Sequence, residues 1–138
     1  MKSSKKIMLT LLLSTSALTL NSCIIAALAV GGGTIAYLDG KYSMNMEGNY
    51  KDAYKAALKA VNDNNDYVLV SKSLNSGNNS AEIEGATKVD STDLSIDIEK
   101  LTDNASKITI KFGSFGDRIM SSTLMDQIQA NLNKSNAK

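Results

Sequence analysis

Histidine and tryptophan are missing from this 138-residue chain, cysteine occurs once, and aromatic material is limited to two phenylalanines and five tyrosines. Without histidine or a second thiol, the sequence excludes zinc sites of the His/Cys type, Ser–His–Asp and Cys–His catalysis, CxxC redox chemistry and a disulfide framework. Arginine is nearly absent too: fourteen of the fifteen basic residues are lysine, and only Arg118 is not. The formal charge of +1 depends on Lys2, Lys5 and Lys6; beyond residue 22 twelve basic residues face fourteen acidic ones, a net of −2. No basic stripe remains to follow a phosphate backbone, which argues against a nucleic-acid partner. A chain without disulfides is held by its own core, and a domain of about 95 residues buries enough for that, roughly 60–70% of its unfolded surface.

What is present begins with a leader over residues 1–22. "MKSSKK" is a positive n-region and "IMLTLLLSTSALTL" (Ile7–Leu20) an apolar h-region of secretory length. Leu20, Asn21, Ser22 and Cys23 follow: an aliphatic residue, a polar one, a small one and the single thiol. This run resembles the lipobox of bacterial lipoproteins, with Asn21 a departure from the commoner small or hydrophobic residue. The resemblance implies a diacylglycerol on the Cys23 sulfur, cleavage just before it, and an acyl chain such as palmitate on the new amino terminus. Lipidation also accounts for a lone cysteine, since two or more acyl chains anchor stably where one holds only marginally. Two other readings stand beside it: a signal peptide without lipidation, and an uncleaved anchor, because no charge occurs between Ile7 and Leu38.

The second apolar run, "IIAALAVGGGTIAYL" (Ile24–Leu38), has fifteen residues against the about 20 that cross a bilayer. Its glycines fit a flexible tether over residues 23–39; its small side chains also fit a helix packed against another membrane helix. Ile24, in place of the Asp that retains enterobacterial lipoproteins at the inner membrane, favours the outer membrane with the domain in the periplasm.

From residue 40 to 133 the pattern is that of a folded domain. Tyr42, Met44 and Met46 alternate with polar residues as a half-buried strand. Asn49 then caps a helix with Tyr50, Ala53, Tyr54, Ala57, Leu58 and Val61 on one face. Four strands joined by polar turns follow, "YVLVSKSL", "SAEIEGATK", "LSIDIEKL" and "KITIKF", a meander signature. "GSFGD" leads into a last helix with Asp117 as N-cap and Met120, Leu124, Ile128 and Leu132 as its stripe; residues 134–138 read as a frayed tail. The order β-α-β-β-β-β-α predicts an α+β two-layer sandwich, a mostly antiparallel sheet with two helices on one face.

Three segments give the chain a family likeness: Tyr37-Leu38-Asp39-Gly40, "AYKAALKAV" (Ala53–Val61) and "KFGSFGDRIMSSTLMDQIQANL" (Lys111–Leu132). With the lipobox and the Gly/Ala-rich run they resemble a small bacterial lipoprotein family, domain of unknown function 3568, over nearly the whole mature chain. Ser122 and Thr123 stand where relatives often carry Arg or Lys. The resemblance implies fold and address; the family has no established activity, so it implies no catalytic residue.

The "GSFGD" loop admits two uses. Gly113 and Gly116 can let backbone amides approach an anion at the helix N-terminus, or they form a tight turn in which Asp117 caps the helix and Phe115 fills the core. Ser114 has no histidine to activate it as a nucleophile. Glu82, Glu84, Asp97 and Glu99 lie at i, i+2 on strand faces opposite the apolar residues; interleaved with lysine they read as a solubilising face or as a docking face for a partner, and not as an acid–base pair, which needs a cleft to raise one pKa. No segment has EF-hand spacing, and no metal is expected. The sequence thus points to a non-enzymatic, lipid-anchored envelope protein, with no cofactor beyond the acyl chains on Cys23, that docks another envelope protein. A small-ligand or lipid carrier, with an apolar cavity between helices and sheet, is the alternative; a periplasmic hydrolase would need a buried, perturbed carboxylate pair.

Overall fold

Alternation and capping set the first half of the domain. The computed structural model describes residues 34–138; Cys23 and its lipobox residues Leu20, Asn21 and Ser22 lie outside the described residues. Strand β1 (Ile35–Leu38) turns tightly through Asp39 and Gly40 into β2 (Lys41–Glu47), which buries Tyr42, Met44 and Met46. Asn49 caps helix α1 (Tyr50–Asp63), its side-chain oxygen accepting from the Lys51 amide at 2.9 Å. The buried face of α1 is mostly alanine, Ala53, Ala56, Ala57 and Ala60, so the helix axis can approach the sheet closely. The meander β3 (Tyr67–Asn75), β4 (Ser80–Thr87), β5 (Asp93–Thr102) and β6 (Ala105–Phe112) follows, then helix α2 (Arg118–Asn136). Asp117 caps α2 by accepting from the Met120 amide.

All six strands pair antiparallel in the order β1-β2-β6-β5-β4-β3. Helix α1 therefore crosses the sheet from β2 to the far edge, and the meander returns until β6 pairs with β2. Both helices cover one face. Between the layers lie Ile83, Leu94, Ile96, Ile98, Ile108, Ile110 and Phe112 from the sheet, and Val61, Leu124, Met125, Ile128 and Leu132 from the helices. The α+β two-layer sandwich stands as the sequence pattern predicts, with one strand added at the edge.

Four details differ from the sequence expectations. Residues 35–38 are not tether but strand β1, paired with β2 from Ile35↔Met44 to Leu38↔Lys41, so the domain starts before residue 40. The last helix runs to Asn136, three residues into the expected frayed tail; nothing in "KSN" breaks a helix, and Lys134 suits the negative end of its dipole. Its buried side is wider than one stripe, taking in Ser121 and Met125, because α2 packs against α1 as well as the sheet. Phe115 does not fill the core: it is 94% exposed.

The register gives the sheet two distinct ends. The pairs Tyr42↔Ile110, Leu94↔Phe112, Ala86↔Asp93 and Tyr67↔Thr87 bring the β1–β2 turn, the β6–α2 loop and the β4–β5 turn to one end. The β2–α1, β3–β4 and β5–β6 connections occupy the other.

Candidate functional site: the open face of the sheet

With both helices on one side, the alternate residues of every strand face away from the core. Cross-strand register assembles them into rows, Ser43–Thr109–Asp97–Glu82–Ser73 across the middle and Asn45–Lys107–Glu99–Ser80–Asn75 beside it. A third row holds Lys111, Ser95, Glu84 and Ser71. A hollow of about 510 Å³ lies over the first two rows, lined by Lys41, Ser43, Glu82, Asp97, Glu99, Lys107 and Thr109 among others. Ser43 and Thr109 share a hydroxyl–hydroxyl hydrogen bond of 2.9 Å, and the Ser71 hydroxyl donates to Glu84 at 2.7 Å.

Asp97 occupies the middle of this face. Burial raises its carboxyl above the ordinary value; Lys41 pulls it back down, and Glu99 adds a further upward push. A raised folded-state pKa means that protonation favours the folded form. The contribution is fully present below the unfolded carboxylate value of about 3.9 and is lost as pH rises through the raised one. Asp97→Asn is therefore expected to be more stable than the parent at neutral pH, with the gap closing in acid. Urea midpoints for both proteins at pH 7 and at acid pH check this, and an equal or lower midpoint for the variant at pH 7 would contradict it. The comparison isolates Asp97 from Asp90 and Asp103, whose hydrogen-bonded carboxylates are shifted the opposite way in both proteins.

The four carboxylates singled out in the sequence all lie on this face. Glu82 and Asp97 are directly opposite each other on β4 and β5, whereas Glu84 faces Ser95 and Glu99 faces Ser80. The sequence does not reveal that Lys41 and Ser43 belong with them, because that follows from β2 pairing with β6, which sets Ser43 against Thr109, 66 positions further along the chain. Among the described residues no group of three or more Cys, Asp or Glu is placed to hold a metal ion. Lacking histidine and thiol, the face offers hydroxyls, carboxylates and amines, the groups of a hydrogen-bonding surface.

The "GSFGD" loop has a structural role. Gly116 (φ +79°) lies against Gly40 (φ +76°), main chain to main chain, and a methyl on either would sit far inside van der Waals contact with the other loop. The Arg118 guanidinium lies 5.8 Å from the centre of the Tyr37 ring across the same junction. Tyr37-x-x-Gly40 and Phe115-Gly116-Asp117-Arg118, far apart in sequence, thus form one corner of the fold. Asp117 already occupies the helix N-terminus that an anion would need.

A family model described as "Protein of unknown function (DUF3568)" matches residues 6–131. The chain belongs to the DUF3568 family. The match covers both halves of the glycine corner and the open sheet face. A search of the curated proteins finds no match. Among solved structures, the crystal structure of a conserved protein from Geobacillus kaustophilus is similar at 14% identity over 86% of this chain and 84% of its own, with a TM-score of 0.27, too loose a likeness to bear on fold or function. No helix among the described residues of this DUF3568 protein is long and apolar enough to cross a membrane. Among the described residues, the layer between its helices and sheet is lined by fully buried side chains.

Proposed function

We propose that this DUF3568 protein is a lipid-anchored component of the bacterial cell envelope, held by acyl chains on Cys23 at the outer membrane. Its periplasmic domain is a non-enzymatic adaptor that binds another envelope protein through the open sheet face. The observation that carries this reading is Asp97: a partly buried carboxylate kept, against its desolvation, in the centre of a polar face with a hollow lined by hydroxyls, carboxylates and lysines. Stability given up at a surface position is a frequent mark of function there. Polar, charge-patterned faces select partners by complementarity and reject wrong ones by like charge.

The test uses the full chain in living cells, with a photo-crosslinking side chain at Ser73 on the face or, as control, at Asp126 on the exposed side of α2. One reproducible envelope protein is expected from Ser73 and not from Asp126. Reversing Glu82 and Glu99 to lysine should reduce its yield about tenfold or more. Capture that survives the reversal, or that matches the Asp126 control, would sink the reading.

A further inference from the structure

The two ends of the sheet differ in chemistry. Of the exposed large apolar side chains among the described residues, the four that stand furthest into solvent are Phe115 (94%), Val89 (90%), Ile119 (79%) and Leu38 (72%). All four belong to one end: Leu38 in the β1–β2 hairpin, Phe115 in the β6–α2 loop, Ile119 in the first turn of α2 and Val89 in the β4–β5 turn. The connections at the opposite end, Gly48-Asn49, Ser76-Gly77-Asn78-Asn79 and Asp103-Asn104, carry no apolar side chain.

We propose that the Phe115–Val89–Ile119–Leu38 end of the domain rests on a phospholipid bilayer, its apolar tips inserted at the headgroup–acyl boundary. These apolar tips are carried on separate turns, the β1–β2 and β4–β5 hairpins being about 14 Å apart by strand spacing. They suit a soft surface that each tip can enter alone, as interfacial anchors do. The loops are held for this. The Gly40–Gly116 contact fixes the Leu38 and Phe115 tips relative to each other. The Thr87 and Thr92 hydroxyls and the Thr92 amide turn the Asp90 carboxylate into its own turn, leaving Val89 outermost.

The sequence outside the described residues points the same way. The uncharged run from Ile7 ends at Leu38, so its last residues are the exposed strand β1 that leads into this end. Residues 24–33 separate Cys23 from Thr34 and reach at most about 35 Å when extended. An acylated Cys23 therefore keeps the domain at the membrane, and the inference rests on that anchoring. Lys41, Lys88 and Arg118 lie at this end, but so do Asp39, Asp66, Asp90, Asp93 and Asp117. The contact is accordingly apolar, not an attraction to anionic lipid, and it persists in high salt. With this end down, the strands stand along the membrane normal and the polar sheet face looks sideways into the periplasm.

The chain has no tryptophan, so one introduced at a tip reports its own surroundings. Full-length acylated Phe115→Trp, Val89→Trp and, for the opposite end, Asn78→Trp are reconstituted into phosphatidylethanolamine–phosphatidylglycerol vesicles with and without lipids brominated on their acyl chains. All three sites are exposed turns, and circular dichroism confirms the fold of each variant. Tryptophan at 115 and 89 should emit to the blue of that at 78 and be quenched about twofold or more by the brominated lipids, in low and high salt alike; position 78 should be unaffected. Protein that floats with the vesicles but shows no quenching at 115 and 89 overturns this proposal and leaves the anchor standing. A blue shift without bromine quenching means burial against protein, such as a second copy, and overturns it equally. Protein that fails to float removes the anchor and this proposal together.

Discussion

Gly116→Ala is expected to destabilise the domain by about 3 kcal/mol, enough to lower its melting temperature by more than about 10 °C. Two effects combine. At φ +79° any L-residue with a side chain is strained by about 1–2 kcal/mol. Its methyl would also lie 2.6 Å from the Gly40 carbonyl carbon, and main chain cannot rotate away as a side chain can. The hairpin and the β6–α2 loop would have to separate, taking the Arg118–Tyr37 contact with them. Gly40→Ala meets the reciprocal obstacle, with its methyl 2.7 Å from the Phe115 carbonyl carbon. Once one substitution has parted the loops the second meets less resistance, so the double variant should lose less than the sum of the two. Gly77→Ala is the control: its φ is not in the left-handed region, and its methyl would lie 3.4 Å from the Asn75 side-chain oxygen, so it should fall within about 0.5 kcal/mol of the parent. Urea or thermal unfolding of the four variants checks the set. A Gly116→Ala protein as stable as the Gly77→Ala one would show that the corner does not hold the fold.

That corner also marks where the sequence stops being legible. Inside regular elements the period of apolar residues tells inward from outward, and β2, α1 with its Asn49 cap, the meander and the Asp117-capped last helix follow from it. Strand β1 hides because "IAYL" is apolar throughout, with no alternation to separate it from the run before; only pairing with β2 defines it. Phe115 sits in a loop, where no period applies. An aromatic residue between two glycines looks like a core plug, but the glycines serve to bring two main chains together and leave the ring outside. The polar face was readable strand by strand. Its assembly was not, since the neighbours of Asp97 are set by register, and placing Ser43 and Lys41 near it requires α1 to carry the chain across the sheet first. The helical stripe gave Leu124, Ile128 and Leu132, and missed Met125 because a helix packed against two surfaces buries more than one row.

Cys23→Ala should abolish acylation entirely, an all-or-none effect where the others are graded. A thioether to diacylglycerol needs the sulfur, and Cys23 is the only one in the chain that is a thiol. The leader-cutting step that a lipobox implies acts on the modified cysteine, so the variant is expected to keep residues 1–22 and carry no lipid. Fractionation alone would mislead here: an uncut leader leaves the uncharged stretch from Ile7 to Leu38 in place, and that much apolar chain can stay with the membrane on its own. Intact mass and incorporation of labelled palmitate separate the cases. The parent should have the mass of residues 23–138 plus acyl chains, with label; the variant should have the mass of the whole precursor, without it. Each buried methylene contributes about 0.8 kcal/mol to anchoring, so the acyl chains of one residue outweigh any contact the domain makes with the bilayer. The loop tips at Phe115 and Val89 would then orient a protein already held, and a precursor lacking the acyl chains would keep its fold, since the described domain begins after them. Identical mass and label in parent and variant would instead make the leader an ordinary signal or an anchor, and would leave the adaptor face without its attachment to the membrane.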